Sequence, residues 1–589
     1  MDIFAVFSLI GGLAFFLFGM HVMSNNLEKM AGGKLELLLK KMTTNPFVSL
    51  FLGAAITIAI QSSSATTVML VGLVNSGIME FGQTINVIFG ANIGTTLTAW
   101  ILSLSGIESS NVFLQMLKPE NFSPIVAFIG VIMLMISKSD RKKSIGTVFV
   151  GFAVLMYGME LMKNAVSPLA ELPQFSEMMV KFNNPVLGVL IGALFTGLIQ
   201  SSAASVGILQ ALSMTGSITY AMAVPIVMGQ NIGTCVTSMI SSIGTNKNAK
   251  RVAFVHIAVN AIGTVILLVL LGAANALFDI TIADRAVNPA SIAMIHTVFN
   301  LAITAMLMPC GRLIEKLAVL AVPDKQNEKE RRPHGAPFLD ARLLSTPSVA
   351  IAECEHKTME MADLSKQTIF DAIALLGNYT DSDARQIKLD EDTIDLYEDK
   401  LGSYLVQLSG KDLSESDTRK ISKMLHSIGD FERLGDHALN LKDAAQEIHE
   451  KQMQFSSNAM QELETLTLAL SEILTNAVAA FNHNDLAMAA RVEPLEQVMD
   501  DLIETVKLHH IERLQAGKCT IELGFVLSDI LTNYERISDH CSNIAVCVIE
   551  TQHDSFDTHE YLHAIKKHAD YEEQYRAYLE KYRLPGQAY

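Results

Sequence analysis

Two short polar runs interrupt the apolar N-terminal half of this chain, QSSSATT at residues 61–67 and QSSAAS at residues 200–205. Gln200 follows Gln61 by 139 residues, and the same offset aligns further positions without a gap. Asn45-Pro46 falls on Asn184-Pro185, and GANIGT (90–95) falls on GQNIGT (229–234). A register held over this length indicates two copies of one unit, at about residues 5–137 and 144–275. Any fold must therefore bury the same polar element twice.

The apolar segments beside each polar run are too short to cross a bilayer. A membrane helix needs about 20 apolar residues, whereas the arms at 47–60 and 65–76 are clearly shorter. Two such arms joined by a polar tip predict a re-entrant hairpin, which is tolerated where it lines a cavity inside the protein. The NIGT segments lie within the next spans, and the glycines around them predict discontinuous helices. A further span is predicted at 290–310.

Lysines and arginines reverse their distribution between the two copies. The loop after the first helix of copy one carries four lysines, whereas the loop after NIGT is the more basic one in copy two. Since cytoplasmic loops carry the excess of positive charge, the copies are predicted to be inverted relative to each other. Together, these observations predict an all-α polytopic membrane domain over residues 1–320, with inverted repeats and two hairpins. Duplications of this kind are common in transporters.

Charge divides the chain into two different parts. Residues 1–320 hold 17 Lys/Arg and 13 Asp/Glu, whereas the remaining residues hold 27 and 48. A mean hydropathy of +0.31 is high for a wholly soluble protein. The sequence pI near 5.4 and the lack of a basic stripe argue against nucleic acid as a partner. We therefore expect a membrane-embedded N-terminal part, a charged linker at 321–349 and an acidic C-terminal domain.

Neutral groups must carry the chemistry of the polar runs. Residues 184–246 contain no Asp, Glu, Lys or Arg, and residues 42–100 contain only Glu80. Hydroxyl and carbonyl oxygens suit a small hard cation such as Na⁺, while O–H groups, amide N–H groups and helix N-termini suit an oxyanion. A single polar run of this type more often forms hydrogen bonds between packed membrane helices. Its duplication favours a site that binds a cation and an anion together.

These motifs, with FFLFGMHVM (15–23) and the His-x-x-x-Asn pairs at 256–260 and 296–300, resemble the type II sodium/phosphate cotransporter family over roughly residues 5–310. The resemblance implies Na⁺ as the coupling ion and inorganic phosphate as the substrate. The candidate substrate and ion site comprises Gln61, Ser62, Ser63, Ser64, Thr66, Asn92, Thr95, Gln200, Ser201, Ser202, Asn231 and Thr234. Copy two has Ala203 where copy one has Ser64, so its tip offers one hydroxyl fewer. The His and Asn pairs are interpreted as packing or gating residues.

Helical periodicity continues through residues 350–555, where a second duplication occurs. FERLGDHALN (431–440) matches YERISDHCSN (534–543). This pattern resembles PhoU-like domains, bundles of two three-helix repeats associated with control of phosphate uptake. Carboxylates spaced i,i+4 share a helix face, and eight of them form a candidate site for a divalent metal or iron: Glu432, Asp436, Glu535, Asp539, Glu391, Asp395, Glu496 and Asp500. The alternative is a solvated acidic face paired with arginines. The tail at 556–589 contains one predicted helix.

We therefore expect Na⁺-coupled phosphate transport across the plasma (inner) membrane by alternating access, with a regulatory PhoU-like domain in the cytoplasm. One alternative is a membrane-bound sensor of phosphate status with little or no transport. An enzyme is not expected, because no nucleophile–base pair accompanies the carboxylates. The sequence leaves open import against export, the ion ratio, related oxyanions such as sulfate or arsenate, and the oligomeric state, a homodimer included.

Overall fold

The computed structural model describes residues 3–31, 45–106, 118–137, 139–168, 184–278, 282–323, 339–411, 413–551 and 569–584. These residues divide into two compact units, one of Met1–Lys329 with Asp340–Val349 and the other of Glu330–Leu339 with Ala350–Tyr589. Within the described part, every regular element is a helix, and the one isolated bridge joins Thr219 to Ala286. The predicted all-α fold class is thus confirmed. Residues 324–338 of the linker and 552–568 of the tail lie outside the description.

The first unit repeats a series of helices at the offset of 139 residues. Copy one contains α1 (Ile3–Ala31), α2 (Pro46–Ile60), α3 (Ser63–Ser76), α4 (Phe81–Ser103) and α5 (Pro119–Ile136). Copy two contains α6 (Asp140–Val166), α7 (Pro185–Ile199), α8 (Ser202–Ser213), α9 (Tyr220–Ser241) and α10 (Lys247–Phe278). Two further helices follow, α11 (Pro289–Leu307) and α12 (Gly311–Ala321). The duplication read from the sequence is therefore a duplication of structure.

Six helical segments of this unit are long and apolar enough to cross a membrane: Ile3–Met30, Phe81–Gly106, Asp140–Val166, Tyr220–Ser241, Lys247–Leu277 and Pro289–Ala321. The hairpin arms α2, α3, α7 and α8 have only 15, 14, 15 and 12 residues. Each hairpin begins with the same cap, because Asn45 and Asn184 accept hydrogen bonds from the backbone N–H groups of the first turn and Pro stands at its start. The short arms agree with the re-entrant interpretation.

The predicted breaks in the two NIGT helices are wrong, since α4 and α9 are continuous α-helices. Their glycines permit close contact instead of bending the backbone. A Cβ atom on Gly90 would lie 2.0 Å from the carbonyl oxygen of Leu50, and one on Gly229 would lie 2.1 Å from that of Val189. Each NIGT helix thus packs directly against the backbone of the first arm of its own hairpin.

A short segment, residues 340–346, which we term the strap, packs on the first unit beside α3 and α9. The buried Asp340 carboxylate accepts a hydrogen bond from Asn75 Nδ2 at 2.6 Å. Arg342 donates to the carbonyl oxygens of Ser241 and Ile243, at 2.5 and 2.6 Å. Leu343 is fully buried. The strap therefore connects the C-terminal end of α3 to the C-terminal end of α9.

The second unit is a bundle of long helices in two sets of three. The first set is α13 (Pro347–Gly377), α14 (Asp381–Ser409) and α15 (Glu415–Glu450). The second is α16 (Ser457–His483), α18 (Val492–Gln515) and α19 (Ile521–Glu550), with the short α17 (Leu486–Ala489) between α16 and α18. Helices α15 and α19 carry the two ERxxDHxxN motifs and pack against each other. Helix α20 (Ala569–Lys581) packs on α18.

Candidate functional site

Both hairpin tips adopt the same unusual backbone conformation. Gln61 and Gln200 have φ values of 58° and 57°, in the left-handed region that non-glycine residues rarely occupy. The following serine is extended in both tips and caps the second arm, with Ser62 Oγ accepting from Ala65 N at 3.1 Å and Ser201 Oγ from Ala204 N at 3.2 Å. Such conformations persist only where the surrounding structure holds them, and they often mark functional sites.

The two tips line one cavity of about 460 Å³. The second arms α3 and α8 begin at the tips, so the positive ends of two helix dipoles lie at this cavity. Eight of the residues predicted from the sequence line it: Gln61, Ser62, Ser63, Ser64, Thr95, Gln200, Ser201 and Ser202. Hydroxyl groups, amide groups and two helix N-termini therefore converge on a single volume. This arrangement can bind an oxyanion and a cation together.

Four predicted residues do not line the cavity: Thr66, Asn92, Asn231 and Thr234. Thr66 Oγ1 pairs with Thr57 Oγ1 at 3.1 Å, and the equivalent pair in copy two, Ser205 and Thr196, is 2.8 Å apart. These buried pairs join the two arms of each hairpin. Thr234 instead donates to the carbonyl oxygen of Gln230 within α9.

The histidine and asparagine pairs of α10 and α11 form hydrogen bonds with the NIGT helices α4 and α9. Asn92 Nδ2 donates to Asn260 Oδ1 at 3.3 Å, and His296 Nε2 lies 3.3 Å from Asn231 Oδ1. His256 Nδ1 lies 3.0 Å from Ser238 Oγ. All of these side chains are buried. This placement supports the packing interpretation of the His-x-x-x-Asn motifs.

The missing hydroxyl at Ala203 changes contacts between the copies. Thr237 of copy two reaches Ser64 of copy one, with 3.2 Å between their hydroxyl oxygens. Thr98 is the copy-one counterpart of Thr237, and the position that corresponds to Ser64 is Ala203, which has no hydroxyl group. Thr98 Oγ1 instead donates to Gln61 Oε1 at 2.9 Å. The two tips therefore share their backbone but differ in the side-chain hydrogen bonds that hold them.

Sequence reasoning missed a group of cavity residues on α1. His21, Ser24, Asn25 and Glu28 line the cavity from one face of that helix. Ser24 Oγ also donates to the carbonyl oxygen of Ile60 at 2.6 Å, at the end of the first hairpin arm. The signal was a polar stripe with spacings of three and four residues at the end of an apolar helix. Thr98 on α4 was missed as well.

In the second unit, three of the eight predicted carboxylates come together. One oxygen each from Glu496, Asp500 and Asp539 lies within 4.8 Å of the others. Burial, together with the charge of Asp539, raises the pKa of Asp500 to about 6, and burial also raises the pKa of Asp539. Glu535 is paired with Lys507 at 2.9 Å. The group has the oxygen donors that hard divalent cations and iron prefer.

The equivalent carboxylates of the first repeat do not form such a group within the described residues. Glu391 pairs with Lys388 at 2.7 Å, and Asp436 pairs with Arg433 at 3.2 Å. At the offset that aligns Glu391 with Glu496, Lys388 corresponds to Glu493, so the second repeat lacks the neutralising lysine. The salt-bridged acidic face therefore describes Glu391 and Asp436, and also Glu432, which lies 3.6 Å from Arg433. Asp395 joins no three-carboxylate group among the described residues.

Comparison with known proteins gives two domain families. The Na⁺/Pi-cotransporter family matches residues 15–164 and 168–307, and the PhoU domain family matches residues 358–445 and 463–548. Escherichia coli YjbB, described as a candidate inorganic phosphate export protein, is 24% identical over 550 residues, which span 92% of this chain and 97% of YjbB.

Two other relatives match separate parts. Rat sodium-dependent phosphate transport protein 2A is 36% identical over 99 residues, 16% of this chain and 15% of its own length. A Thermotoga maritima homologue of the phosphate-specific transport system accessory protein PhoU is 25% identical over 195 residues, 33% of this chain and 83% of its own length.

Proposed function

We propose that this homologue of the type II sodium/phosphate cotransporters, in which a Na⁺/Pi-cotransporter domain precedes a PhoU domain, moves inorganic phosphate together with Na⁺ across the plasma (inner) membrane. The chain belongs to a family of transporters and not to a family of enzymes. The single observation that carries the proposal is that both hairpin tips line one cavity. A regulatory protein without transport would have no need for two matched polar tips at a common volume.

Phosphate binds, in this proposal, between the N-termini of α3 and α8. Backbone N–H groups of the first turns and the hydroxyls of Ser63 and Ser202 donate to its oxygens, and the two helix dipoles favour its negative charge. No lysine or arginine is among the described cavity residues. Since no fixed positive side chain balances the phosphate, a co-bound cation must do so, and hydroxyl and amide oxygens suit Na⁺. Alternating access then exposes the filled cavity to one side at a time.

In this proposal, the direction of net phosphate transport is set by the Na⁺ and phosphate gradients and not by the binding site. An inward Na⁺ gradient favours uptake, whereas a high internal phosphate concentration can drive phosphate outward through the same coupled cycle. YjbB, the relative aligned over most of the chain, is described as a candidate export protein. We propose that this protein is reversible and that net flux changes sign when the combined gradients change sign.

Phosphate flux into proteoliposomes tests the proposal. Full-length protein is given radiolabelled phosphate under an inward Na⁺ gradient or an equal K⁺ gradient. Ser63→Ala and Ser202→Ala should each lower Na⁺-dependent uptake at least tenfold. Ser76→Ala and Ser213→Ala are the matched controls, since these serines stand at the other ends of the same helices and bond their own backbone. Absence of Na⁺-dependent flux in the wild type would favour the sensor alternative.

The PhoU-like unit is proposed to be cytoplasmic and regulatory. Arg312 and Lys316 lie on α12, which follows the apolar helix α11, and positive charge near the end of a span marks the cytoplasmic side. The group of Glu496, Asp500 and Asp539 is proposed to bind a divalent cation or iron, which would neutralise three neighbouring carboxylates. Equilibrium binding of Mn²⁺ followed by electron paramagnetic resonance tests this, with Asp500→Asn expected to abolish it and Glu391→Gln expected to leave it unchanged.

A further inference from the structure

Helix α1 contributes one carboxylate to the wall of the cavity. Glu28 lines it together with both hairpin tips, and no other Asp, Glu, Lys or Arg is among the described lining residues. Its Oε1 atom is buried and has no hydrogen-bond partner in the described part of the chain. Ionised groups removed from water normally have a partner or a bound cation. Glu28 is thus the one carboxylate among the described residues that line the cavity.

This carboxylate comes from one copy only. The position equivalent to Glu28 in copy two is Ser167, an exposed residue after the end of α6. Its hydroxyl donates to the carbonyl oxygen of Lys163. Glu160, the acidic residue near the end of α6, pairs with Lys163 and Asn164 and does not line the cavity. The repeat therefore builds a symmetric pair of tips but only one anionic side chain at the cavity.

A phosphate anion and an ionised Glu28 repel each other when they share this small volume. The repulsion is stronger than in water because the walls of the cavity have a low dielectric constant. A cation bound at Glu28 neutralises the carboxylate and so removes this repulsion. The charge of Glu28 thus makes phosphate binding depend on prior or simultaneous binding of a cation.

We propose that Glu28 supplies the anionic ligand of a Na⁺ site in the cavity, and that this site couples Na⁺ to phosphate. The inference rests on the proposed function, which it deepens by naming the coupling residue. Neutral oxygens for the remaining ligands are at hand: Ser24 stands one turn away on the same helix face, and Gln61 lies on the adjacent tip. Carboxylate, hydroxyl and amide oxygens are the ligand set that a small hard cation prefers.

Trp100 allows Na⁺ binding to be measured without transport. It is the only tryptophan of the chain and follows Thr98, a cavity residue, by two positions on α4. Detergent-solubilised full-length protein is titrated with NaCl at constant ionic strength against choline chloride, with no phosphate present, while Trp100 emission and thermal unfolding are followed. Glu28→Gln is expected to raise the half-saturating Na⁺ concentration at least tenfold and Glu28→Asp to raise it less. Glu160→Gln is the matched control and should leave it unchanged.

The two proposals fail in different ways. A wild-type protein that binds Na⁺ but shows no Na⁺-dependent phosphate flux contradicts the transport proposal and not the Na⁺ site. Equal Na⁺ titrations for wild type and Glu28→Gln overturn the Glu28 site, as does a wild type that responds to Na⁺ by neither readout. A Glu28→Gln variant that keeps its Na⁺ response but loses a pH dependence of phosphate uptake also overturns it, because Glu28 would then carry a proton.

Discussion

Gln61 and Gln200 occupy a backbone conformation that glycine adopts at no cost, yet both retain a long amide side chain. The left-handed region costs a non-glycine residue roughly 1 kcal/mol. Gln61 uses its side chain twice, donating to the carbonyl oxygen of Ile58 and accepting from Thr98. The amide group at the cavity is therefore the reason to expect glutamine in preference to glycine.

Gln61→Gly should separate stability from transport. Relief of strain and the added flexibility of glycine in the unfolded chain oppose each other, so we expect a change of less than about 1 kcal/mol in the free energy of unfolding. Phosphate uptake should fall at least tenfold because the cavity loses its amide group. Gln452→Gly is the control, since Gln452 has φ 51° in the second unit. Normal uptake by Gln61→Gly would show that the tip needs only its backbone.

Asp500 makes the stability of the second unit depend on pH. Burial and the charge of Asp539 raise its pKa to about 6 in the folded protein, above the ordinary value of 3.8. The folded state therefore binds this proton more tightly than the unfolded state, and its contribution to stability is present below pH 4 and lost as the pH rises through about 6. In metal-free protein, Asp500→Asn should raise the melting temperature at pH 7 and change it little at pH 4. Calorimetry of the full chain measures both, with the exposed Asp399→Asn as control.

At the scale of helices, each hairpin depends on backbone contact between its first arm and the NIGT helix. Gly90→Ala places a methyl group 2.0 Å from the carbonyl oxygen of Leu50, so α2 and α4 must move apart. Overpacking of this kind typically costs about 1–3 kcal/mol. We expect a lower yield of folded protein in detergent, measured by fluorescence-detected size exclusion. Gly272→Ala is the control, because nothing lies within 4 Å of a Cβ atom there. Equal yields would contradict the close packing.

The strap gives a second prediction at this scale. Arg342→Ala removes the donors to the carbonyl oxygens of Ser241 and Ile243. Hydrogen bonds from charged donors contribute about 1.5–3 kcal/mol, so the amides of residues 340–346 should exchange at least tenfold faster by hydrogen-exchange mass spectrometry. Arg312→Ala, on α12 of the same unit, should leave them unchanged. If exchange in the strap is the same in both variants, Asp340 and Leu343 suffice to hold it.

Sequence reasoning was accurate where a pattern reported local chemistry and wrong where it depended on neighbours. The tips were predictable because two polar runs flanked by short apolar arms have few structural solutions in a bilayer. Gly90 and Gly229 were taken as breaks, since a sequence does not show which backbone lies opposite a glycine. Glu28 was missed because it lies at the polar end of α1, where charged residues are ordinary. Three of the eight carboxylates meet although Asp539 lies 3.6 Å from Arg536, much as Asp436 lies 3.2 Å from Arg433, so the grouping depends on helix packing that the repeated motif does not show.

At the scale of the whole molecule, the boundary between the two units does not coincide with the end of the last apolar helix. Asp340–Val349 belongs to the first unit, although these residues fall within the charged linker predicted at 321–349. A chain ending at residue 349 therefore keeps the strap, both tips and Glu28, whereas one ending at 323 exposes Asn75 and the surface that buries Leu343.

We expect the 349-residue chain to transport phosphate with the Na⁺ dependence of the full protein. The 323-residue chain should unfold at a lower temperature, because a buried hydrogen bond to Asp340 and the burial of Leu343 are lost. Proteoliposome flux and thermal unfolding compare the two chains. Loss of flux in the longer chain would show that the PhoU-like unit is required for transport and does not only modify it.

The strap contacts α3. In copy two, the position equivalent to Asn75 is Met214, directly after the end of α8, and a methionine cannot make the same hydrogen bond. If the inward-open and outward-open states interchange the conformations of the two hairpins, the strap, which binds the first hairpin, gives those two states unequal free energies. The protein then has a preferred resting state, and the slow step of the cycle is the one that moves the fastened hairpin. Maximal rates of influx and efflux would differ under mirrored gradients, although the equilibrium that both approach is the same. Such a transporter rectifies kinetically.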